Sequence, residues 1–293
     1  MSVTLFCLGK KAFESLNALS DELISVIDYI IIATDKNIAN DYSNEIKTWA
    51  ISNNINTLPR DSFELSKCIS KFYIAIGWRW IIQIKENSNL IVLHDSLLPK
   101  YRGFNPLVTA LINGDTEIGV TALFGSQEYD KGDIISQEII TIQYPIKIQE
   151  AINKISLLYQ KILSDLLSDI YNNNPLKASK QDDSKASYSV WRDEEDYKID
   201  WSKSAEDIKR FIDAVGNPYK GASTFLNNMK IRITHAEVVE DILIANRDFG
   251  KLIFKKDNYP VIICGKGLLK ITEVNSTNNK NLTFENDFRI RLQ

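Results

Sequence analysis

Two stretches of this chain carry residue types that could do chemistry together. The first ends the apolar run Leu90-Ile91-Val92-Leu93 with His94, one of only two histidines in 293 residues. It then passes into a turn-rich stretch holding Pro99, Gly103 and Pro106. The second, Asp130-Lys131-Gly132-Asp133, also lies between two apolar runs. A histidine at a strand end, next to an aspartate on a neighbouring loop, is held in one orientation. Such an imidazole can donate to an oxyanion or shuttle a proton between nitrogen atoms. No Ser or Cys stands in a nucleophile elbow. No His/Cys cluster has the spacing of metal ligands, and neither a GxGxxG nor a P-loop is present. The residues thus offer acid–base and electrostatic catalysis without an evident covalent nucleophile or metal.

The elements that must position this pair read as follows. Val3–Leu8 is a short apolar run stopped by Gly9 and predicts a first strand, and apolar spacing predicts a helix over 11–26. Tyr29–Ala33 is an uninterrupted run of the kind a buried parallel strand gives. Residues 40–54 read as helix, Ile55–Leu58 as a weak strand and Phe63–Ile69 as a short helix. Phe72–Ile76 and Leu90–Leu93 read as two more buried strands. Strands alternating with helices imply a Rossmann-like, doubly wound α/β fold with a mostly parallel sheet. Ligands sit beyond the carboxyl ends of such strands, where Gly9, Gly77 and His94 fall. Gly119–Phe124 and Ile134–Ile142 are later strands, joined in a hairpin-like way by the Asp130 loop. Residues 148–172 carry apolar positions at i, i+3, i+4 spacing and end at Asn172-Asn173-Asn174-Pro175. Residues 175–190 are polar and poor in pattern, which marks a linker. Ser204 and Asp207 open a further helix with capping-box spacing, and Gly216 and Pro218 end it. From Ala222 short strands alternate with turn signals. His235 alternates with apolar residues there and reads as structural. The expected division is a catalytic α/β domain over 1–174, a linker over 175–195 and a small β-rich, OB-like domain over 196–293.

A net charge of −3 argues against a nucleic-acid partner. No apolar run reaches the ~18–20 residues of a membrane span, and the N-terminal residues lack a signal-peptide pattern. Cys7, Cys68 and Cys264 are far apart and odd in number, as suits a reducing cytoplasm. Cys7 and Cys264 read as small core residues.

The string His94-Asp95-Ser96-Leu97-Leu98-Pro99-Lys100-Tyr101-Arg102-Gly103 resembles the folate-dependent formyltransferase family. So do Pro106, Asn113-Gly114, Gly119-Val120-Thr121 and Asp130-Lys131-Gly132-Asp133-Ile134. The likeness continues through Gln181, Ser187-Tyr188, Arg192, Ile199-Asp200-Trp201 and Pro218-Tyr219. It implies an N-terminal domain that binds N10-formyltetrahydrofolate, whose formyl carbon is attacked by an amine. The family's catalytic residues are Asn, His and Asp. His94 and Asp130 match two of them, and Val92 stands where the Asn is expected. The family Asn donates to the formyl oxygen, and losing one such donor typically slows an enzyme by about 10²–10³. A surrogate is therefore expected: a Trp78 or Trp80 indole N–H, the Asn105 amide, or His94 itself. Leu123, where many members carry His, is a second departure.

By the same resemblance, Gly77, Trp78, Arg79, Trp80, Tyr129 and Gly132 are expected at the folate. Ser96, Lys100, Tyr101, Arg102, Gly103, Asn105, Glu194 and Asp196 are expected at the second substrate, although Arg102 could equally tie down its own loop. The run Trp191–Trp201 is similar to sugar N-formyltransferases, most closely those of the pseudaminic-acid pathway. The implied acceptor is the amine of a dideoxy amino sugar carried on UDP or a related nucleotide. A cytoplasmic enzyme without nucleic-acid or membrane partner, compatible with a homodimer, is the expectation. Methionyl-tRNA as acceptor, or a non-catalytic folate- or sugar-nucleotide-binding relative, are the alternatives.

Overall fold

The computed structural model describes residues 2–64, 69–83, 89–276 and 289–293. The chain divides into two compact units: Met1–Leu107, Thr116–Ile142 and Glu150–Trp191 in the first, and Val108–Asp115, Gln143–Gln149 and Arg192–Gln293 in the second.

In chain order the first unit contains β1 (Val3–Cys7), α1 (Gly9–Asn17), α2 (Asp21–Ile24), β2 (Ile27–Ile32), α3 (Ser43–Ser52), β3 (Asn56–Pro59), β4 (Phe72–Ile76), β5 (Asn89–His94) and the two-residue strand β6 (Arg102–Gly103). Helix α4 (Pro106–Asn113), which passes into the second unit at Val108, then strands β7 (Glu117–Phe124) and β8 (Ile134–Thr141), helix α5 (Ile148–Tyr171) and the short strand β9 (Tyr188–Ser189) follow. The main sheet has seven strands in the order β3-β2-β1-β4-β5-β7-β8. The first five run parallel, and β7 and β8 are antiparallel additions. This is the mostly parallel α/β sheet that the alternation of strands and helices implies.

Local physics explains the pattern. β1 and β4 are buried at every residue, as strands covered on both faces must be. β8 lies at the edge and alternates between half-buried and exposed positions along its second half. α5 buries Ala151, Ile155, Ile162, Leu163, Leu166, Leu167 and Ile170 along one stripe, each large side chain contributing about 1.5–3 kcal/mol.

Two readings change, and a third is not tested. The helix expected over 11–26 is two helices, because the chain turns at Ala18–Ser20 and restarts at Asp21. α4 was hidden in a stretch that looks turn-rich. Its Pro106 is the first helical residue, where the missing N–H costs nothing. The helix expected over Phe63–Ile69 lies mostly outside the described residues, as does Cys68.

The second unit holds α6 (Ala205–Ala214) and an antiparallel sheet of β10 (Ala222–Leu226), β11 (Met229–Val239), β12 (Leu252–Lys256), β13 (Tyr259–Ile263) and β14 (Leu268–Ser276), in the order β10-β11-β14-β13-β12. The Ser204 hydroxyl caps α6 by accepting from the Asp207 N–H at 3.1 Å. Buried Trp201 donates its indole N–H to the Thr224 hydroxyl at 3.0 Å. His235 meets the Thr272 hydroxyl across β11 and β14, Nδ1 to Oγ1 at 2.6 Å.

Candidate active site

His94 is the last residue of β5 and is buried. Its Nε2 lies 2.9 Å from the Tyr101 carbonyl oxygen. A carbonyl only accepts, so Nε2 carries the proton of this bond. Nδ1 faces Asp130 Oδ1 at 3.5 Å. The second carboxylate oxygen of Asp130 accepts the Gly103 N–H at 2.8 Å. One loop thus holds the imidazole through Tyr101 and the carboxylate through Gly103.

The backbone of this region is unusual in a consistent way. Tyr101, Asn105 and Asp130 have φ of +60°, +51° and +55°, a conformation that non-glycine residues seldom adopt and that clusters at functional sites. Gly103 has φ +99°, and a Cβ there would run into the Ser189 carbonyl. A Cβ on Gly132 would run into the Phe124 carbonyl. Both glycines are dictated by close backbone approach.

Residues 179–189, which read as linker from their polarity, strap this loop in place. Ser179 exchanges both backbone hydrogen bonds with Ile134, and β9 pairs in parallel with β6. Gln181 donates to the carbonyls of Asp130 at 2.7 Å and Gly132 at 2.8 Å. Its own carbonyl accepts from Arg102 Nε at 3.0 Å and Nη2 at 2.7 Å, and Nη2 also reaches Asp183 at 2.7 Å. Arg102 is 1% exposed, so the guanidinium ties its own loop. The Ser187 hydroxyl accepts from the Tyr101 N–H at 3.0 Å.

The other residues expected here divide into groups. The Ser96 hydroxyl donates to the Lys100 carbonyl at 2.6 Å, which closes the loop internally. The Lys100 ammonium sits over the Tyr101 ring at 4.7 Å. Asn105 is half-buried. Tyr129 is exposed and tilted against exposed Phe104, ring centroids 6.0 Å apart; Phe104 escapes a search for polar chemistry. Gly77 follows β4 with φ +64°, and a Cβ there would strike the Leu8 carbonyl. Arg79 pairs with Asp35. Trp78 and Trp80 meet edge to face at 5.3 Å, and the Arg60 guanidinium covers Trp80 at 4.3 Å. These rings, with Phe6, Phe63 and Ile82, line a cavity of about 360 Å³, within the usual size of small-molecule sites. Glu194 and Asp196 belong to the second unit. The Glu194 carboxylate is paired with Arg232, with Lys230 at 3.1 Å and with Lys220 at 3.6 Å. Burial acts to raise its pKa, and the Lys230 and Arg232 cations more than offset that, leaving it below the ordinary value. Asp196 accepts the Asp193 N–H at 2.8 Å in a local turn.

A second network lies next to His94. Asp95 is ion-paired with Lys11 of α1 and accepts from the Tyr159 hydroxyl of α5, which is also 3.0 Å from the Leu93 carbonyl. Burial acts to raise the Asp95 pKa, yet Lys11 and Tyr159 bring it below its ordinary value. Burial, followed by the Asp95 charge, pushes the Tyr159 phenol up. No local sequence signal marks this cluster, whose members lie 64 and 84 positions apart. The family resemblance, by contrast, does point to Thr121: its hydroxyl donates to the Ser96 carbonyl at 2.6 Å and accepts from Leu98 N and Gln137.

Comparison with known proteins bears on this arrangement. Residues 71–167 match the model of the formyl transferase family, and residues 192–291 match that of the formyl transferase C-terminal domain. The chain is 35% identical over 182 residues to a methionyl-tRNA formyltransferase of Streptococcus equi subsp. equi (strain 4047), a match covering 62% of this chain and 57% of that protein. It therefore spans little more than half the length of that relative. Among solved structures, the fold is similar to that of WlaRD, a sugar 3N-formyl transferase solved in the presence of dTDP and 5-N-formyl-THF (TM-score 0.66, 22% identity, 92% of this chain and 96% of that one). It is also similar to an N-formyltransferase from Helicobacter canadensis in complex with folinic acid and dTDP-3-aminofucose (TM-score 0.65, 19% identity, 93% and 98%). With both family models matched in order along one chain, and together covering more than half of it, the protein belongs to the formyl transferase family.

Proposed function

We propose that this chain transfers a formyl group from N10-formyltetrahydrofolate to the amine of a nucleotide-linked dideoxy amino sugar. The observation that carries the reading is the His94–Asp130 pair, 3.5 Å apart and locked by the Tyr101 and Gly103 backbone, in a chain of this family. The folate supplies an activated formyl carbon. In the transfer the amine nitrogen bonds to that carbon, the carbon–N10 bond breaks, and the proton the amine loses is balanced by one gained at the folate nitrogen. His94 Nε2–H is engaged by Tyr101, so Nδ1 is the atom that can move this proton. Asp130 orients the ring and faces the charge that forms at Nδ1. The aromatic cavity around Trp78 and Trp80 suits a flat heterocycle.

The amino-sugar acceptor is supported by the acidic net charge and by the dTDP and the dTDP-3-aminofucose of the two fold relatives. The exposed Phe104–Tyr129 pair offers a ring surface for a nucleotide base. The likeness of Trp191–Trp201 makes a UDP-linked precursor of pseudaminic acid the first acceptor to try. Methionyl-tRNA is the second reading, favoured by the 35% identity to the Streptococcus enzyme. Purified protein with the formyl donor, assayed on UDP- and dTDP-linked amino sugars and on charged initiator tRNA, decides between them. The expected result is formyl amide on a sugar nucleotide and none on tRNA. The reverse would replace the acceptor, and no turnover on any amine would remove the enzymatic reading.

A further inference from the structure

The site has a proton carrier but lacks one component: with Val92 in β5, no side chain at that position can donate to the formyl oxygen. The structure narrows where a replacement can come from. Val92 and His94 are two residues apart on one strand and so share a face of the sheet. On that face Phe6, Ala75 and Val92 stand in one row across β1, β4 and β5. Trp78 packs on the same cluster as Val92, with its ring 5.0 Å from that of Phe6. Its indole nitrogen is buried and has no hydrogen-bond acceptor among the described residues. An indole N–H is a donor only, and a buried donor left unpaired in a folded protein calls for an explanation.

Of the other candidate donors, the imidazole is already held, and the Trp80 and Asn105 nitrogens are not among the buried unpaired atoms of the described residues. His94 Nε2 is committed to the Tyr101 carbonyl, and Nδ1 faces Asp130. Trp80 is covered on its face by the Arg60 guanidinium. Trp78 alone among these combines a buried, unsatisfied N–H with a place in the wall of the aromatic cavity.

We propose that the Trp78 indole N–H is the hydrogen-bond donor to the formyl oxygen, in the role that Val92 cannot fill. This rests on the formyl-transfer reading of the same site. The indole proton stays on Nε1 throughout, and its bond strengthens as charge builds on the oxygen. Phe6 and Trp80, edge to face with the indole, fix the ring so that the donor is in place before reaction.

Two measurements test this. In the first, protein carrying ¹⁵N-tryptophan is titrated with 10-formyl-5,8-dideazafolate and with the same compound lacking the formyl group. The Trp78 indole resonance is assigned by its loss in Trp78→Phe. Expected is a downfield shift of the Trp78 indole proton with the formylated ligand and not with the other. Equal shifts with both ligands, or none with either, overturn the proposal. In the second, Trp78→Phe keeps an aromatic ring and removes the N–H. Its kcat should fall by about 10²–10³, with the KM for the folate changed only severalfold. Val92→Asn should restore at least tenfold of that loss in the Trp78→Phe background, yet give no gain in the wild type. Trp78→Phe turning over at the wild-type rate overturns the assignment. If the wild type transfers to no amine while the formyl-specific shift is seen, the acceptor chemistry fails and the Trp78 assignment stands.

Discussion

At the level of single residues, His94 and Asp130 each have one atom tied to backbone and one left for chemistry. This asymmetry makes the site sensitive to substitutions that keep size but change polarity. Asp130→Asn can still accept the Gly103 N–H, but its amide cannot stabilise charge at His94 Nδ1. Both Asp130→Asn and His94→Ala should lower kcat by about 10²–10⁴, the usual worth of a positioned acid–base group, with the thermal melt changed little for Asp130→Asn. Steady-state rates beside circular-dichroism melts check this, and an Asp130→Asn enzyme as fast as wild type would take Asp130 out of the proton path. Gly132→Ala is a different kind of test. Its Cβ would meet the Phe124 carbonyl, so the loop must shift, and forcing atoms into a packed site typically costs about 1–3 kcal/mol. A lower melting temperature together with a lower kcat is the expected result. The sequence offers His94 and Asp130 as a pair because strand end and loop are local facts, and it is the family resemblance that singles them out as catalytic. The sequence leaves open which ring nitrogen does the work, because that depends on the Tyr101 carbonyl folding back seven residues later.

At the level of elements, the site is a loop clamped from two sides, and each clamp makes a prediction. The strap over 179–189 turns on Gln181, which bonds two carbonyls and the Arg102 guanidinium at once. Gln181→Ala strands those groups, at a typical cost of about 1–3 kcal/mol. Limited proteolysis should then cut within 175–190 far faster than in the wild type, and an unchanged digest would mean that the strap is held elsewhere. The other clamp is Asp95, which joins the end of β5 to α1 and α5 through Lys11 and Tyr159. Its pKa is lower folded than unfolded, so its contribution is present above the unfolded value of 3.8 and is lost as pH falls through the folded one. In urea melts, wild type should exceed Asp95→Asn in stability above pH 4, with the gap closing below it. A gap that stays constant down to pH 2.5 would contradict the ion pair. The strands of the main sheet were legible because a strand buried on both faces is a bare apolar run. α4 and the strap were not, for opposite reasons. Pro106 looks like a turn until a helix is seen to begin on it. The strap's polar residues look solvated until their partners, some fifty to eighty positions away, are known.

At the level of the whole molecule, two units of different architecture each close around their own core, and the chain's cysteines report on both. Cys7 lies in β1 of the first unit, in a strand buried at every residue. Cys264 lies just past β13 in the second and is also buried. Both were legible as core residues, since each interrupts nothing in its apolar run. Burial pushes the Cys264 thiol up to about 12 and raises that of Cys7 as well. A thiol whose pKa is raised by folding binds its proton more tightly in the folded state. The folded state therefore loses stability as pH climbs above the ordinary thiol value of 9.0 toward the folded one. At neutral pH both thiols are protonated and shielded, and the thiolate is the reactive form. In a Cys68→Ser background, a disulfide reagent at pH 8 should find no thiol in native protein and both in denaturant. Because the two cysteines sit in different units, the order in which they react as urea rises also measures whether the units unfold together. A single transition shared by Cys7 and Cys264 would mark one cooperative molecule, and Cys264 reacting ahead of Cys7 would mark the β-rich unit as opening independently. Reaction of either thiol in the native protein would contradict the burial of that unit's core.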